Sequence, residues 1–390
     1  MYKKTFTLEQ HTPLIHFQAL QNGANIRATE IKPKLDKFIW LQLINENANK
    51  ENAFSLFKHL LIGYEPNNIQ SLRTRFLNGF FAFNYSIKVL SEGQKINSQH
   101  RIISENHNGV HYTKTILEFK AWQPEILMLI ERLLRNFLII ENFGKRQNKG
   151  YGCFYLKGTT KEQLIACLKN ISGDCIFMKN ESVSDFEQEI NKSWSRLKSG
   201  QNKPYEKSRI FRYASENKIK WEKRFIKLEI EDLIAISENN YPALYRKREP
   251  LDCSVDELKE TYTGLEDNPD VETDINSEYN YYFMRALLGL PELYEFQAVD
   301  DKYQVMIKSE SEEVDRFKAP VTFKVFNNHI YAFPNQFSDQ ILGQGFIFSV
   351  YLKSEKKKKL KEFTLRIPRQ FNLNSFLSKY LPTVGFNKII

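Results

Sequence analysis

The chain has 390 residues, of which 42% are hydrophobic, 14% aromatic and 26% charged, so it can bury a sizeable core and is expected to form two or three domains. It holds no run of about 18 uncharged apolar residues, and MYKKTFTLEQ lacks the apolar stretch of a secretory signal, so no membrane partner and a cytoplasmic location are expected. The net charge of +9 is uneven: residues 251–280 carry ten acidic side chains against the single Lys259, so the rest of the chain is more basic than its total and suits an anionic partner.

In chain order, alternation in YKKTFTLEQHTPLIHF predicts a strand, and LQNGAN supplies turn residues around Asn22-Gly23. EIKPKLDKFIWLQLI predicts a helix with Pro33 in its first turn and an apolar stripe of Leu35, Phe38, Ile39 and Leu43. GFFAFNYSIKVL, with Phe81, Phe83, Tyr85, Ile87 and Val89 on one face, and GVHYTKTILEFKAW read as an antiparallel pair. Pro124 opens a second helix with Ile126, Ile130, Leu133, Phe137 and Ile140 at helical spacing, and Gly144 is placed as its left-handed cap. YGCFYLKG closes a β-α-β-β-α-β order over 1–158, the ferredoxin-like, RRM-like pattern.

A connecting region, 159–280, reads as amphipathic helices, KEQLIACLKN and SVSDFEQEINKSWSRLKSG, and is basic and then acidic. Its KPYEKSRIFRY and YRKRE interleave cations with tyrosines, a composition that suits single-stranded RNA and equally a solvated helical face. The acidic run reads as a solvated loop or a contact for a basic partner. Over 281–390, YYFMRALLGLPELYEF is expected to be helical, APVTFKVFNNHIYAFP to form two strands around Asn327-Asn328, GQGFIFSVYLK and LKEFTLRIP another pair, and NLNSFLSKYL a last helix. A second ferredoxin-like unit is expected there, giving an α+β chain of tandem βαββαβ domains with helical insertions. KSEKKKKLKE reads as a solvated hairpin tip.

Two basic clusters join regular elements. Arg27, Lys32 and Lys34 surround the start of the first helix, where unpaired N–H groups and the dipole favour an anion; solvent-facing lysines fit the same residues. In ENFGKRQNKGYGCFY, Gly144, Gly150 and Gly152 permit positive φ and close backbone approach, Lys145, Arg146 and Lys149 supply charge, and Tyr151 is placed to stack or to pack beneath the loop. Such a loop grips a sugar-phosphate backbone or is a helix cap with solvated lysines. It lacks the GxxxxGK[ST] spacing of a P-loop. Cys153, Cys167, Cys175 and Cys253 form no CxxC pair or zinc array, and no cofactor or metal is expected.

HTPLIHF followed by IRATEIKPKLDKFIW, together with FGKRQNKGYG, resembles the signatures of the RAMP superfamily of CRISPR effector proteins: a Thr-Pro-Leu strand, a helix motif of basic and small residues, and a glycine-rich loop closed by Gly-aromatic-Gly. Within it the pattern is most similar to the first-subunit family of the type III-B (Cmr) complexes, with two RAMP-like domains on one chain. Pro33 and Asp36 depart from the helix motif. The resemblance implies a non-catalytic RNA-binding subunit of an antiviral ribonucleoprotein, with guide (crRNA) and target RNA and other RAMP subunits as partners, and contact near the guide's 3′ end.

The alternative is a metal-independent endoribonuclease processing guide precursors, which needs an acid and a base from residues such as His11, His16, His107 and His111. Neither Asp36 nor Asp174 lies in a motif for metal-dependent cleavage.

Overall fold

The computed structural model describes residues 1–15, 25–102, 105–179, 182–202, 204–223, 225–226, 229–230, 281–290, 296–297, 303–310, 318–335, 341–352 and 359–389. The acidic run 251–280, His16 and the lysines of 353–358 lie outside the described residues. In chain order the first elements are β1 (Tyr2–Gln10), β2 (Leu14–Ile15), α1 (Ala28–Glu46), α2 (Lys50–Phe57), α3 (Ile69–Leu77), β3 (Tyr85–Ile102), β4 (Glu105–Ala121), α4 (Pro124–Ile140), β5 (Phe154–Leu156), α5 (Lys161–Ser172), β6 (Phe177–Lys179) and α6 (Phe186–Lys198). There follow β7 (Gln201–Asn202), β8 (Tyr205–Glu206), α7 (Arg209–Glu216), β9 (Lys220–Trp221), β10 (Tyr281–Tyr282), β11 (Phe296–Gln297), β12 (Tyr303–Ser309), β13 (Val321–Phe326), β14 (His329–Pro334), β15 (Gly345–Leu352), β16 (Lys359–Arg366), α8 (Leu373–Tyr380) and β17 (Phe386–Lys388).

The chain divides into two compact units, one of Met1–Ile190 with Thr322–Phe333 and Asn387–Ile390, the other of Asn191–Val321 and Pro334–Phe386. In the first, β4 is the central strand. It pairs antiparallel with β3 along one edge and with β1 and β2 along the other, and β5 continues the sheet beyond β1. Strand alternation puts Leu8, Leu117, Phe119 and Tyr85 inward, with Phe6 and Tyr85 rings 5.8 and 5.9 Å from Phe119. The α1 stripe of Ile31, Leu35, Ile39 and Leu43 and the α4 stripe of Ile126, Ile130, Leu134 and Phe137 complete this core, all with no exposed surface. The β-α-β-β-α-β order expected of the first domain is therefore present, with α2 and α3 inserted before β3.

Two details differ from expectation. The first helix starts at Ala28, so Pro33 lies in its second turn, where only a bond to the Thr29 carbonyl is forgone. Helix α4 ends at Ile140 and Glu141 is extended, so Gly144 is not its cap.

β13 and β14 are neighbours in a sheet ordered β13-β14-β6-β17. Asn327 and Asn328 sit at φ 47° and 62°, the pair of left-handed residues that a two-residue hairpin demands.

In the second unit a six-stranded sheet runs β11-β12-β15-β16-β10-β9, antiparallel as far as β16 and parallel at β10 and β9. The Phe283 ring packs 5.6 and 5.0 Å from those of Phe346 and Phe348 beneath it. The helix expected from Tyr281 is instead β10 and a short 3₁₀ turn, Met284–Leu288, ended by Gly289 at φ 95°. Among the described residues this unit does not spell out a second β-α-β-β-α-β series.

Candidate nucleic-acid interface

After Ile140 the chain makes a loop whose base is closed by the Phe143 N–H donating to the Gly152 carbonyl at 3.1 Å. The loop docks on the turn between β1 and β2: Gly152 N–H donates to the Pro13 carbonyl at 2.9 Å and Lys145 N–H to the Ile15 carbonyl at 2.7 Å. This docking explains two of the glycines. Gly144 has φ 78° and a Cβ there would lie 2.4 Å from the Ile15 oxygen; Gly152 has φ 64° and a Cβ would lie 2.0 Å from the Phe143 oxygen. Gly150 is buried against Ile190.

Helix α1 clasps the same loop through its charged side chains. Glu30 Oε1 accepts from Gly144 N–H at 3.0 Å and from Gln147 Nε2 at 3.0 Å, and it faces Lys34 Nζ at 3.3 Å. Lys34 Nζ also donates to the Asn142 carbonyl at 2.8 Å and to Gln147 Oε1 at 2.9 Å, and lies 5.0 Å over the Phe143 ring. Lys32 turns elsewhere, donating to Asp36 Oδ2 at 3.0 Å and the Phe83 carbonyl at 2.8 Å, with Nζ 3.8 Å from the Tyr85 ring centroid. Burial lowers the Lys32 pKa and raises that of Asp36, and each residue partly offsets the other's shift.

In these positions Lys32 and Lys34 already have partners within the fold, with which any phosphate would compete. Both ammonium groups are held by carboxylates and carbonyls of the fold, because each has an acidic residue one helical turn away, Asp36 and Glu30. Arg27 is the half-buried N-cap of α1, and its side chain does not cap the helix.

Within the loop the three cations differ. Arg146, at φ 57°, pairs with Glu187 at 2.6 Å and lies 5.5 Å over the Tyr151 ring. Tyr151 is fully buried, edge-on to Phe186 at 5.1 Å, and burial followed by Glu187 pushes its hydroxyl pKa up, so it packs beneath the loop and is not a stacking platform. Lys149 is half-exposed and its backbone N–H donates to the Arg146 carbonyl at 2.8 Å. Lys145 is half-exposed, and its ammonium has no hydrogen-bond partner among the described residues.

Lys324 was not foreseen. Fully buried in β13, its Nζ donates to the carbonyls of Leu138 at 2.8 Å and Glu141 at 2.6 Å and to Asn142 Oδ1 at 2.7 Å, satisfying the end of α4 and the start of the loop together. Asn142 Nδ2 in turn donates to the Phe323 carbonyl at 3.0 Å, and Phe323 N–H to the Asn148 carbonyl at 3.2 Å. The sequence signal was a lysine among the apolar residues of VTFKVF.

Of the histidines, His11 stacks on Phe326 at 4.9 Å and meets Tyr155 edge-on at 4.7 Å, while its Nδ1 accepts from the Asn327 N–H at 3.0 Å. Burial, aided by Lys324 and then His111, lowers its pKa to about 4, so the ring is a neutral acceptor near pH 7. Burial also lowers the pKa of His111. The side chain of His107 lies outside the described residues. Among the described residues no group of three or more His, Cys, Asp or Glu is placed to hold a metal, and no helix is long and apolar enough to cross a membrane.

Residues 1–201 match the family profile described as the Cmr1 N-terminal domain, and residues 205–388 match that described as the Cmr1 C-terminal domain. No curated protein matches the chain. Among solved structures the chain is similar to the crystal structure of Cmr1 from Pyrococcus furiosus in its apo form, at 10% identity over 87% of this chain and 90% of that chain, with a TM-score of 0.31.

Proposed function

We propose, because this chain belongs to the Cmr1 family of type III-B CRISPR effector subunits, that it serves its multisubunit complex by binding RNA, holding the guide backbone and helping capture target RNA, and that it contributes contact and not cleavage. The observation that carries this reading is the glycine-rich loop: docking on Pro13 and Ile15 and the Glu30 clasp fix its backbone, and the Lys145 ammonium is left without a hydrogen-bond partner among the described residues. A rigid loop presenting a cation binds phosphate with little ordering penalty. The reading of His11 supports contact over catalysis, because its Nδ1 already accepts a hydrogen bond from the Asn327 N–H and its ring packs against two aromatics.

The test is the salt dependence of RNA affinity for the full chain. For a single strand, removing one cation that touches a phosphate flattens the plot of log affinity against log salt by about 0.7, so Lys145→Ala flattens it by that amount and Arg146→Ala, whose guanidinium Glu187 already holds, by less. An unchanged slope for Lys145→Ala returns the loop to a structural role. Repeat RNA incubated with the protein stays intact; specific cleavage abolished by His111→Ala contradicts the non-catalytic reading.

A further inference from the structure

The segment 191–223 carries ten Lys and Arg side chains against three carboxylates, Glu206, Glu216 and Glu222. The fold of the second unit neutralises all three. Glu206 accepts a bidentate pair of bonds from Arg196 at 2.8 and 3.0 Å and meets Arg209 at 2.6 Å. Glu222 is fully buried, accepting from Arg285 Nε at 2.6 Å and the Met284 N–H at 2.9 Å. Glu216 is matched by Lys379 at 2.8 Å. Cations are therefore left in excess: Arg212 and Lys223 are exposed and form no ion pair among the described residues.

These cations adjoin aromatic surface. Tyr205, in β8, is 75% exposed. In β8, Glu206 turns to its arginines on one face and its neighbour Tyr205 lies on the other. Lys207 Nζ lies 4.3 Å over the Trp221 ring, which stacks on Phe211 at 5.4 Å. The charge of Arg212 opposes that of Lys207, and the Glu216 carboxylate, already matched by Lys379, acts on both and offsets part of it. One shared carboxylate, itself paired with Lys379, leaves the two cations with a net positive charge that an anion can meet.

We propose that the strip running from Tyr205 through Lys207 to Arg212, edged by Trp221, is a second contact for single-stranded RNA, separate from the glycine-rich loop. Phosphates lie against Lys207 and Arg212, and an unpaired base stacks on the Tyr205 ring, which a duplex with its bases enclosed cannot do. The inference shares the RNA-binding reading of the family, but not the loop on which that reading rests.

The full chain is titrated into a fluorescent 20-nucleotide oligouridylate at several salt concentrations. Lys207→Ala with Arg212→Ala flattens the salt dependence by about 1.4, two phosphate contacts at about 0.7 each. Tyr205→Ala weakens binding roughly 5- to 150-fold with an unchanged salt slope, and Tyr205→Phe, which keeps the ring, restores it. Because Lys207 also donates to Ser215, wild-type protein is separately photo-cross-linked to 4-thiouridine RNA, where a cross-link within the Tyr205–Trp221 region is expected and persists in the Lys145→Ala protein. Wild-type salt slopes in the double variant, or no cross-link in this region, overturn the proposal. If Lys145→Ala is without effect while this strip's variants weaken binding, the loop reading fails and this one stands.

Discussion

Replacing Lys324 by Met tests how the end of α4 is held, because three acceptors, the carbonyls of Leu138 and Glu141 and Oδ1 of Asn142, depend on that one ammonium. Hydrogen bonds to a charged donor contribute about 1.5–3 kcal/mol each, and burial of the ammonium opposes them. Burial lowers the Lys324 pKa from 10.5 to about 8, Lys34 adds to the shift, and Cys153, Glu141 and Cys167 resist it. At about 1.4 kcal/mol per pH unit, the charged form is disfavoured by about 3 kcal/mol. Removing three bonds, about 4.5–9 kcal/mol, against that relief leaves a net destabilisation of about 1.5–6 kcal/mol near neutral pH, read as a fall of several degrees in Tm. The sign of the pH dependence follows. The folded pKa lies below the unfolded one, so between pH 8 and 10.5 the unfolded chain holds more protons and this residue's contribution to stability rises with pH. Melts followed by circular dichroism should show the gap between wild type and Lys324→Met widening by about 3 kcal/mol across that window, other titrating groups cancelling in the difference. A gap that stays constant with pH refutes the assignment of a strained, buried ammonium.

Lys32→Ala leaves Asp36 buried without its cation and should lower stability by about 3–5 kcal/mol while the folded protein keeps its RNA affinity; the opposite pattern in melting and binding assays would restore a phosphate-ligand role. Glu30→Gln exchanges a charged acceptor for a neutral one and weakens the bond by about 1–1.5 kcal/mol, so hydrogen exchange at Gly144 should speed up roughly 5- to 13-fold, and unchanged protection would remove the clasp from the account. Gly152→Ala, whose Cβ would lie 2.0 Å from the Phe143 oxygen, should unfold the loop, whereas Gly158→Ala, at φ 78° with nothing within 4 Å, should cost only about 1–2 kcal/mol; equal melting temperatures for the two variants would contradict the docking geometry.

Periodicity made the scaffold legible and burial hid the site. The α4 stripe, the β3–β4 pair and the Asn327-Asn328 hairpin follow from local patterns that tertiary packing only reinforces. The insertion of α2 and α3 gave no such pattern to read, because α2 buries only Ala53 and Phe54 and α3 only Leu72 and Phe76, too few positions for a clear stripe. The stretch from Tyr281 has the apolar residues of a helix, yet Glu222 draws the Met284 N–H and Gly289 ends the turn, a competition between segments some 60 residues apart that local sequence cannot express. Lys324 belongs to the same class of omission. Its partners lie more than 180 residues away, so its place beneath the loop is a property of the fold alone.

The charged residues show where reading charge from sequence fails and where it holds. Lys32, Lys34 and Arg146 each have a carboxylate that competes with a phosphate, Lys34 two of them, and for both lysines one partner is at the i,i+4 spacing that a helix brings together. Cations in a sequence set only an upper bound on the charge a ligand meets, and local carboxylates subtract from it. In the loop that subtraction leaves Lys145 as the cation without a hydrogen-bond partner among the described residues. Over 191–223 the same subtraction removes few, because three acids face ten bases and the partners of those acids include Arg285 and Lys379 from elsewhere in the chain. Phosphate attraction scales with uncompensated charge, so under the proposed RNA-binding function the weight of non-specific affinity should rest on the second unit, and the fixed backbone of the loop should set where a strand is held.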